Sequence, residues 1–188
     1  GTTEVADHAI ALALTLRRGI LHYHDTQRAE PAAPWRPVTT GGLVRRSGVQ
    51  TFGIVGLGRI GTAVALRAKA LGFRVAFYDP HLPNGSELAI GVERARTLEA
   101  LLQQTDTLSV HAPLTRETRG LISGRELMQL RPNAVVVNTA RGPIVDEPTL
   151  VRALTAAEGE QCGEHRRRRS GEHQDGERGG IKSRHVAP

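Results

Sequence analysis

The sequence predicts an α/β fold built on a doubly wound parallel sheet, and three observations carry that reading. Short, continuously apolar segments alternate with helix-type segments between Thr51 and Leu154. Strands that are apolar along both faces belong to parallel sheets covered by helices on each side. A glycine run, Gly56-Leu57-Gly58-Arg59-Ile60-Gly61, follows the first apolar segment directly and opens a helix-type segment. The second apolar segment ends in an acid, Asp79.

The elements follow in chain order. Residues 1–28 form a leading segment whose helix spans Glu4 to Arg18. Neither proline nor glycine interrupts it, and Val5, Ile10, Leu12, Leu14 and Leu16 supply apolar surface. Residues 29–50 hold Pro31, Pro34, Pro37, Gly41, Gly42 and Gly48 and read as a loop, with Trp35 as a packing plug. Thr51 to Val55 is the first strand. Arg59 to Leu71 is an alanine-rich helix that Gly72 ends. Arg74 to Tyr78 is the second strand, and Val92 to Ala95 is a candidate third. Thr97 caps a helix that runs through Gln104. Thr107 to Val110 is the fourth strand. Ser123 and Glu126 have the spacing of a capping box and open a helix to Leu130. Ala134 to Asn138 is the fifth strand and the most apolar. Asp146 caps a last helix from Glu147, with Pro148 in the first turn, where proline is tolerated.

The folded unit therefore spans residues 51–157, and residues 158–188 differ in character. They contain Arg166-Arg167-Arg168-Arg169, scattered glycines and almost no large apolar side chains. Seven Lys and Arg stand against six Asp and Glu, so the tail does not create the net charge of +6. It cannot bury enough surface to order itself and is expected to be disordered. The sheet is then incomplete on its C-terminal side. The Ala134–Asn138 strand becomes an exposed edge, prone to pairing with other chains and to poor solubility.

Composition removes several function classes. Aromatic residues make up only 3%, against base stacking on nucleic acid. A positive net charge suits an anionic partner, and a nucleotide fits as well as a nucleic acid. The short arginine run reads as solvated. No apolar run approaches the roughly 20 residues of a membrane span. Cys162 is the only cysteine, which excludes an intrachain disulfide and points to a reducing compartment, the cytoplasm. No signal peptide is visible, and no metal site is expected. The chain starts at Gly1 and its only methionine is Met128, so a fragment or processed chain is expected.

A Gly-x-Gly-x-x-Gly run is weak evidence alone, but here it sits between a strand and a helix. That is the context of a Rossmann-type dinucleotide site. Gly56 permits the tight turn, Gly58 lets backbone approach a diphosphate, and Gly61 permits close helix–strand packing. The helix start presents its positive end to the phosphates, with Ile60 in its first turn and Arg59 as an added cation. Asp79 lies 18 residues after Gly61. A carboxylate there accepts hydrogen bonds from the adenosine ribose and repels a 2′-phosphate, which favours NAD over NADP.

From Glu4 to Leu154 the chain resembles the D-isomer-specific 2-hydroxyacid dehydrogenases. Four stretches carry the likeness: Gly53 to Gly61, Tyr78-Asp79-Pro80, Val110-His111-Ala112-Pro113-Leu114-Thr115, and Val137-Asn138-Thr139-Ala140-Arg141-Gly142. Within the family it looks closest to the C-terminal-binding-protein branch of NAD-sensing corepressors. Val64 to Ala70 and Phe77 to Pro80, with Gly85, Glu87 and Gly91, carry that finer likeness. The resemblance implies that Arg141 binds the substrate carboxylate and polarises the keto oxygen, and that it also stands among the cofactor-binding residues. A planar, bidentate, permanently charged group suits both tasks. It implies that Thr139 and Ala140 line the nicotinamide side. Residues Ala112 to Thr118, including Pro113 and Thr118 itself, would pass the adenine and ribose. The partners implied are a small 2-hydroxy or 2-keto acid and a second copy in a homodimer, with no direct contact to nucleic acid or membrane. His111 is expected to be structural, because the family places its catalytic histidine much later.

The family's proton-donating histidine, and the glutamate that raises its pKa, lie beyond the helix starting at Glu147. Neither is recognisable here, nor is the substrate domain that would precede Glu4. A frameshift or a retained intron near Gly159 would turn the family's glycine- and alanine-rich strand into Arg166 to Arg169, because CGN codons read one base later become GNC. Two functions follow. One is an incomplete NAD-dependent oxidoreductase of the CH-OH group, with no turnover and at most weak NAD binding. The other is a corepressor-like interaction protein sensing NAD, for which a nuclear location also fits.

Overall fold

A computed structural model describes residues 1–32, 34, 44–155 and the backbone of 185–187. Trp35, most of the proline-rich loop, and the tail other than residues 185–187 lie outside the described residues. Six strands form one parallel sheet: β1 (Thr51–Val55), β2 (Arg74–Tyr78), β3 (Glu93–Arg94), β4 (Thr107–Val110), β5 (Val135–Asn138) and β6 (His185–Ala187). Their spatial order is β3-β2-β1-β4-β5-β6, the order of a dinucleotide-binding fold. The helices are α1 (Thr2–Arg17), α2 (Ile20–Ala29), α3 (Arg59–Ala70), α4 (Leu98–Gln104) and α5 (Gly124–Gln129), then α6 over residues 147–155. Among the described residues no helix is long and apolar enough to cross a membrane.

Alternate strand residues feed two cores, because side chains along a strand point to opposite faces. On one face Phe52, Ile54, Val75, Phe77, Val135 and Val137 pack under α1 and α3. On the other, Val55, Ala76, Leu108, Val110 and Val136 pack under α4 and α5. Small residues bring α1 close: Ala6, Ala9 and Ala13 are all buried on its inner face.

Four expectations are corrected. The leading segment is two helices, not one, because Gly19 adopts φ 63° and breaks the run between α1 and α2. The bounds of the following segment differ from those expected, since α2 reaches Ala29 and a 3₁₀ turn covers Ser47–Val49. The candidate third strand contracts to Glu93–Arg94, which pair with Ala76 and Phe77. The tail is not wholly without order: His185–Ala187 pair in parallel with Val135–Val137, so β5 is not the exposed edge. Backbone pairing competes for any free strand edge, and the chain's own terminal segment takes this one. At three residues β6 is shorter than the five of β1, so the C-terminal side of the sheet remains short.

A buried charge cluster holds the end of the sheet where β1 and β4 begin. Asp106 is only 2% exposed. Its Oδ2 accepts from the Thr51 N–H at 2.8 Å and from Arg131 Nη1 at 3.3 Å, and its Oδ1 accepts from Arg45 Nη1 at 3.4 Å. Arg17, equally buried at the end of α1, donates Nε to Thr107 Oγ at 2.9 Å and Nη1 to the Asn133 carbonyl at 3.0 Å. Burial lowers the Arg17 pKa to about 10, opposed by the Asp106 charge. One carboxylate therefore ties the starts of β1 and β4 to the arginines of the loops around them.

Removing a buried charge from such a cluster leaves its partners uncompensated. Asp106→Ala should cost about 3–5 kcal/mol in urea unfolding. Arg45→Ala and Arg131→Ala, whose side chains are 41% and 45% exposed, should each cost under about 1 kcal/mol. Equal small losses in all three would contradict the hub. A second prediction concerns His111, where β4 runs out. Its imidazole contacts Ser109 Oγ at 2.8 Å, and burial depresses its pKa to about 4. Above pH 6.5 the folded and unfolded states are both neutral here. As pH falls below 6.5 only the unfolded histidine takes up a proton, so stability declines until about pH 4. His111→Gln should reduce the loss between pH 7 and pH 5 by about 2 kcal/mol, read from unfolding curves at both pH values.

Candidate functional site

The predicted binding residues gather at the carboxyl ends of the strands. The chain leaving β1 returns to β2 through α3 on one face. The chain leaving β4 returns to β5 through α5 on the other. The crevice between β1 and β4 is thus a topological switch point, where open α/β sheets bind ligands.

Its floor is made by glycines. Gly56 has φ 88°, and a Cβ there would lie 2.8 Å from the Ala112 nitrogen. A Cβ on Gly61 would lie 2.1 Å from the Gly56 carbonyl oxygen, which fixes the start of α3 against the loop. Gly58 is the opposite case: a Cβ would meet nothing within 4 Å, so this face of the backbone is open to a ligand. Gly58 is also the N-cap of α3, and no side chain caps the helix there. By contrast, Thr97 caps α4 through the Ala100 N–H at 3.1 Å, and Ser123 with Glu126 closes a capping box on α5. The first-turn N–H groups of α3 are therefore left to an anion. Arg59 is exposed at that turn, and Ile60 packs partly into the core beneath it.

Asp79 is tied directly to this loop. Its Oδ2 accepts from the Leu57 N–H at 2.9 Å and its Oδ1 from the His81 N–H at 3.0 Å. Two motifs 18 residues apart in sequence thus share one hydrogen-bonded unit.

At the end of β4, the His111 N–H donates to the Val55 carbonyl at 2.8 Å. With its pKa pushed down to about 4 by burial, its ring is neutral at pH 7 rather than the imidazolium acid. Ala112 is buried and Pro113 exposed. The Thr118 hydroxyl donates to the Pro113 carbonyl at 2.6 Å and accepts from the Thr115 N–H at 2.8 Å. It shapes its own loop, so its part in the site is positional.

At the end of β5, Asn138 shapes the turn that carries Arg141. Its Oδ1 accepts from the Ala140 N–H at 3.1 Å, and its Nδ2 donates to the Arg141 carbonyl at 2.9 Å. Residue-by-residue reading assigned no role to Asn138, although an asparagine two residues before a loop amide is a recognised turn signal. Arg141 is exposed and donates Nη1 to the Ala140 carbonyl at 2.7 Å. The Thr139 hydroxyl is buried with no hydrogen-bond partner among the described residues, a polar atom left for a ligand to satisfy.

An uncapped helix start, an open glycine backbone, a carboxylate beside the loop and an orphaned hydroxyl together fit a dinucleotide. Comparison with known proteins agrees. Residues 10–163 match the family described as "D-isomer specific 2-hydroxyacid dehydrogenase, NAD binding domain". The chain is 38% identical over 157 residues to a glyoxylate reductase of Thermococcus litoralis, covering 81% of this chain and 46% of that protein. It is 37% identical over 155 residues to C-terminal-binding protein 1 of Caenorhabditis elegans, covering 80% of this chain and 21% of that one. The fold also matches the NAD-complexed D-isomer specific 2-hydroxyacid dehydrogenase of Lactobacillus delbrueckii ssp. bulgaricus. The TM-score is 0.71 at 26% identity, over 82% of this chain and 45% of that one. The chain thus spans less than half the length of each of these relatives. With the glycine cradle and the matched residues in agreement, the chain belongs to the D-isomer-specific 2-hydroxyacid dehydrogenase family and carries its NAD-binding domain.

Proposed function

We propose that this chain is the cofactor-binding part of an NAD-dependent oxidoreductase that interconverts a small 2-hydroxy acid and its 2-keto acid. The observation that supports this most directly is a convergence at one end of the sheet. There the uncapped start of α3, the Asp79 carboxylate bonded to the Leu57 N–H, and Arg141 lie beyond the carboxyl ends of β1, β2 and β5.

In this reading the α3 start, with Gly58 and Arg59, holds the diphosphate. Asp79 accepts from the adenosine ribose and disfavours a 2′-phosphate. Ala112, Pro113 and the loop set by Thr118 line the adenosine side, and Thr139 and Ala140 line the nicotinamide side. Bound NAD supplies the hydride acceptor. Arg141 pairs with the substrate carboxylate and draws charge toward the keto oxygen, as a planar five-donor cation does well. His111, neutral and held by Ser109, is not the proton donor. The full protein acts as a homodimer in the cytoplasm, a compartment that suits a single free cysteine.

A second reading, an NAD-responsive interaction protein, draws on the 37% identity to C-terminal-binding protein 1. It uses the same crevice but needs no keto acid beside the cofactor.

NADH fluorescence separates the two. Titration should show saturable NADH binding, and oxamate, an unreactive keto-acid analogue, should bind to the NADH complex. Asp79→Ala should weaken NADH binding about tenfold and narrow the preference over NADPH. Arg141→Leu should leave NADH binding within about threefold and remove the oxamate response. No NADH binding by the unaltered chain would overturn the first reading, and NADH binding without an oxamate response would favour the second.

A further inference from the structure

We infer that Arg94 is a positioning residue for cofactor recognition: its guanidinium gathers the loop after β2 and sets the main chain that carries Asp79. This rests on the assignment of Asp79 to the adenosine ribose. Arg94 sits on β3, in register with Phe77 of β2, and its guanidinium carbon lies 4.8 Å from the centre of the Phe77 ring. Its side chain is 8% exposed. From there it reaches across the end of β2 and is almost fully engaged. Nε donates to Glu87 Oε2 at 2.9 Å, and Nη2 donates to the Pro83 carbonyl at 2.8 Å. Nη1 donates to the carbonyls of Asp79 and Leu82, each at 3.3 Å.

These acceptors all lie on one loop, residues 79–87, which leaves the sheet beside the glycine cradle. A loop this rich in turns would otherwise sample many conformations, and each would move the Asp79 main chain. Arginine alone offers five donors in a rigid planar fork, so one side chain can hold three carbonyls and a carboxylate at once. A lysine at the same place could keep the charge opposite Glu87 but not that set of carbonyls. Asp79 is thus constrained twice. The Leu57 and His81 N–H groups aim its carboxylate, and Arg94 fixes its backbone. The second constraint determines whether the carboxylate can swing aside for a 2′-phosphate.

The test is paired titration of NADH and NADPH on the full chain, with Arg94→Gln and Arg94→Lys. Arg94→Gln should weaken NADH about tenfold while changing NADPH by less than about threefold, so that the preference between the two narrows. Arg94→Lys should lose a similar part of the preference while retaining the ion pair with Glu87. A merely structural role would lower the melting temperature and leave the NADH-to-NADPH ratio of the folded protein unchanged, and that result would overturn the inference. If Arg94→Gln does not fold, the ratio for Arg94→Lys decides in the same way. Failure of the unaltered chain to bind NADH would instead remove the reading of Asp79 and, with it, this inference. Binding by the unaltered chain with unmoved ratios in both variants would overturn only the role of Arg94.

Discussion

The site depends on a backbone contact that admits no side chain. The loop after β1 passes so close to the loop after β4 that a Cβ on Gly56 would lie 2.8 Å from the Ala112 nitrogen. The start of α3 approaches so closely that a Cβ on Gly61 would fall 2.1 Å from the Gly56 carbonyl oxygen. These two contacts set how deep the crevice is and where the helix points. Once they are made, the α3 amides, the Leu57 N–H that Asp79 accepts, and the residues following β4 share one small volume. A methyl group at either position would push apart elements whose value lies in their proximity.

The opposite end of the sheet is built differently. There Asp106, Arg17 and Thr107 are buried and charged or polar, and the hydrogen bonds run between residues far apart in sequence. Such a cluster is costly to bury and costly to break, so it registers α1, β1 and β4 against one another. The crevice end keeps amides without caps and, among the described residues, a Thr139 hydroxyl without a partner.

How much of this was legible in sequence follows from the range of each interaction. The alternation of elements, the glycine cradle, the caps at Thr97 and Ser123 and the acid at Asp79 are local patterns, and the structure has them where sequence placed them. The end of the first helix before Gly19 was legible, but the second helix, Ile20–Ala29, was not, because its largely polar run buries no residue and shows no apolar face. The pairing of His185–Ala187 with β5 was not legible, because it joins residues about fifty positions apart through backbone groups that carry no side-chain signal. Arg94 carries no sequence signal for a similar reason. Its partners are main-chain carbonyls of a loop, and carbonyls are the same whatever residue bears them.

Binding and chemistry draw on different kinds of order in this domain. The groups assigned to the diphosphate and ribose are held by backbone geometry and by hydrogen bonds at both ends, so little freedom remains to be lost when a ligand arrives. Arg141 differs. Asn138 fixes the turn beneath it, but its guanidinium is exposed and, among the described residues, rests on the neighbouring Ala140 carbonyl. A cation held by one neighbouring carbonyl can be drawn off by a carboxylate that offers two charged acceptors in its own plane. The cradle is therefore ordered in the free chain, while the exposed Arg141 guanidinium would, in the proposed reading, take its orientation from a bound carboxylate.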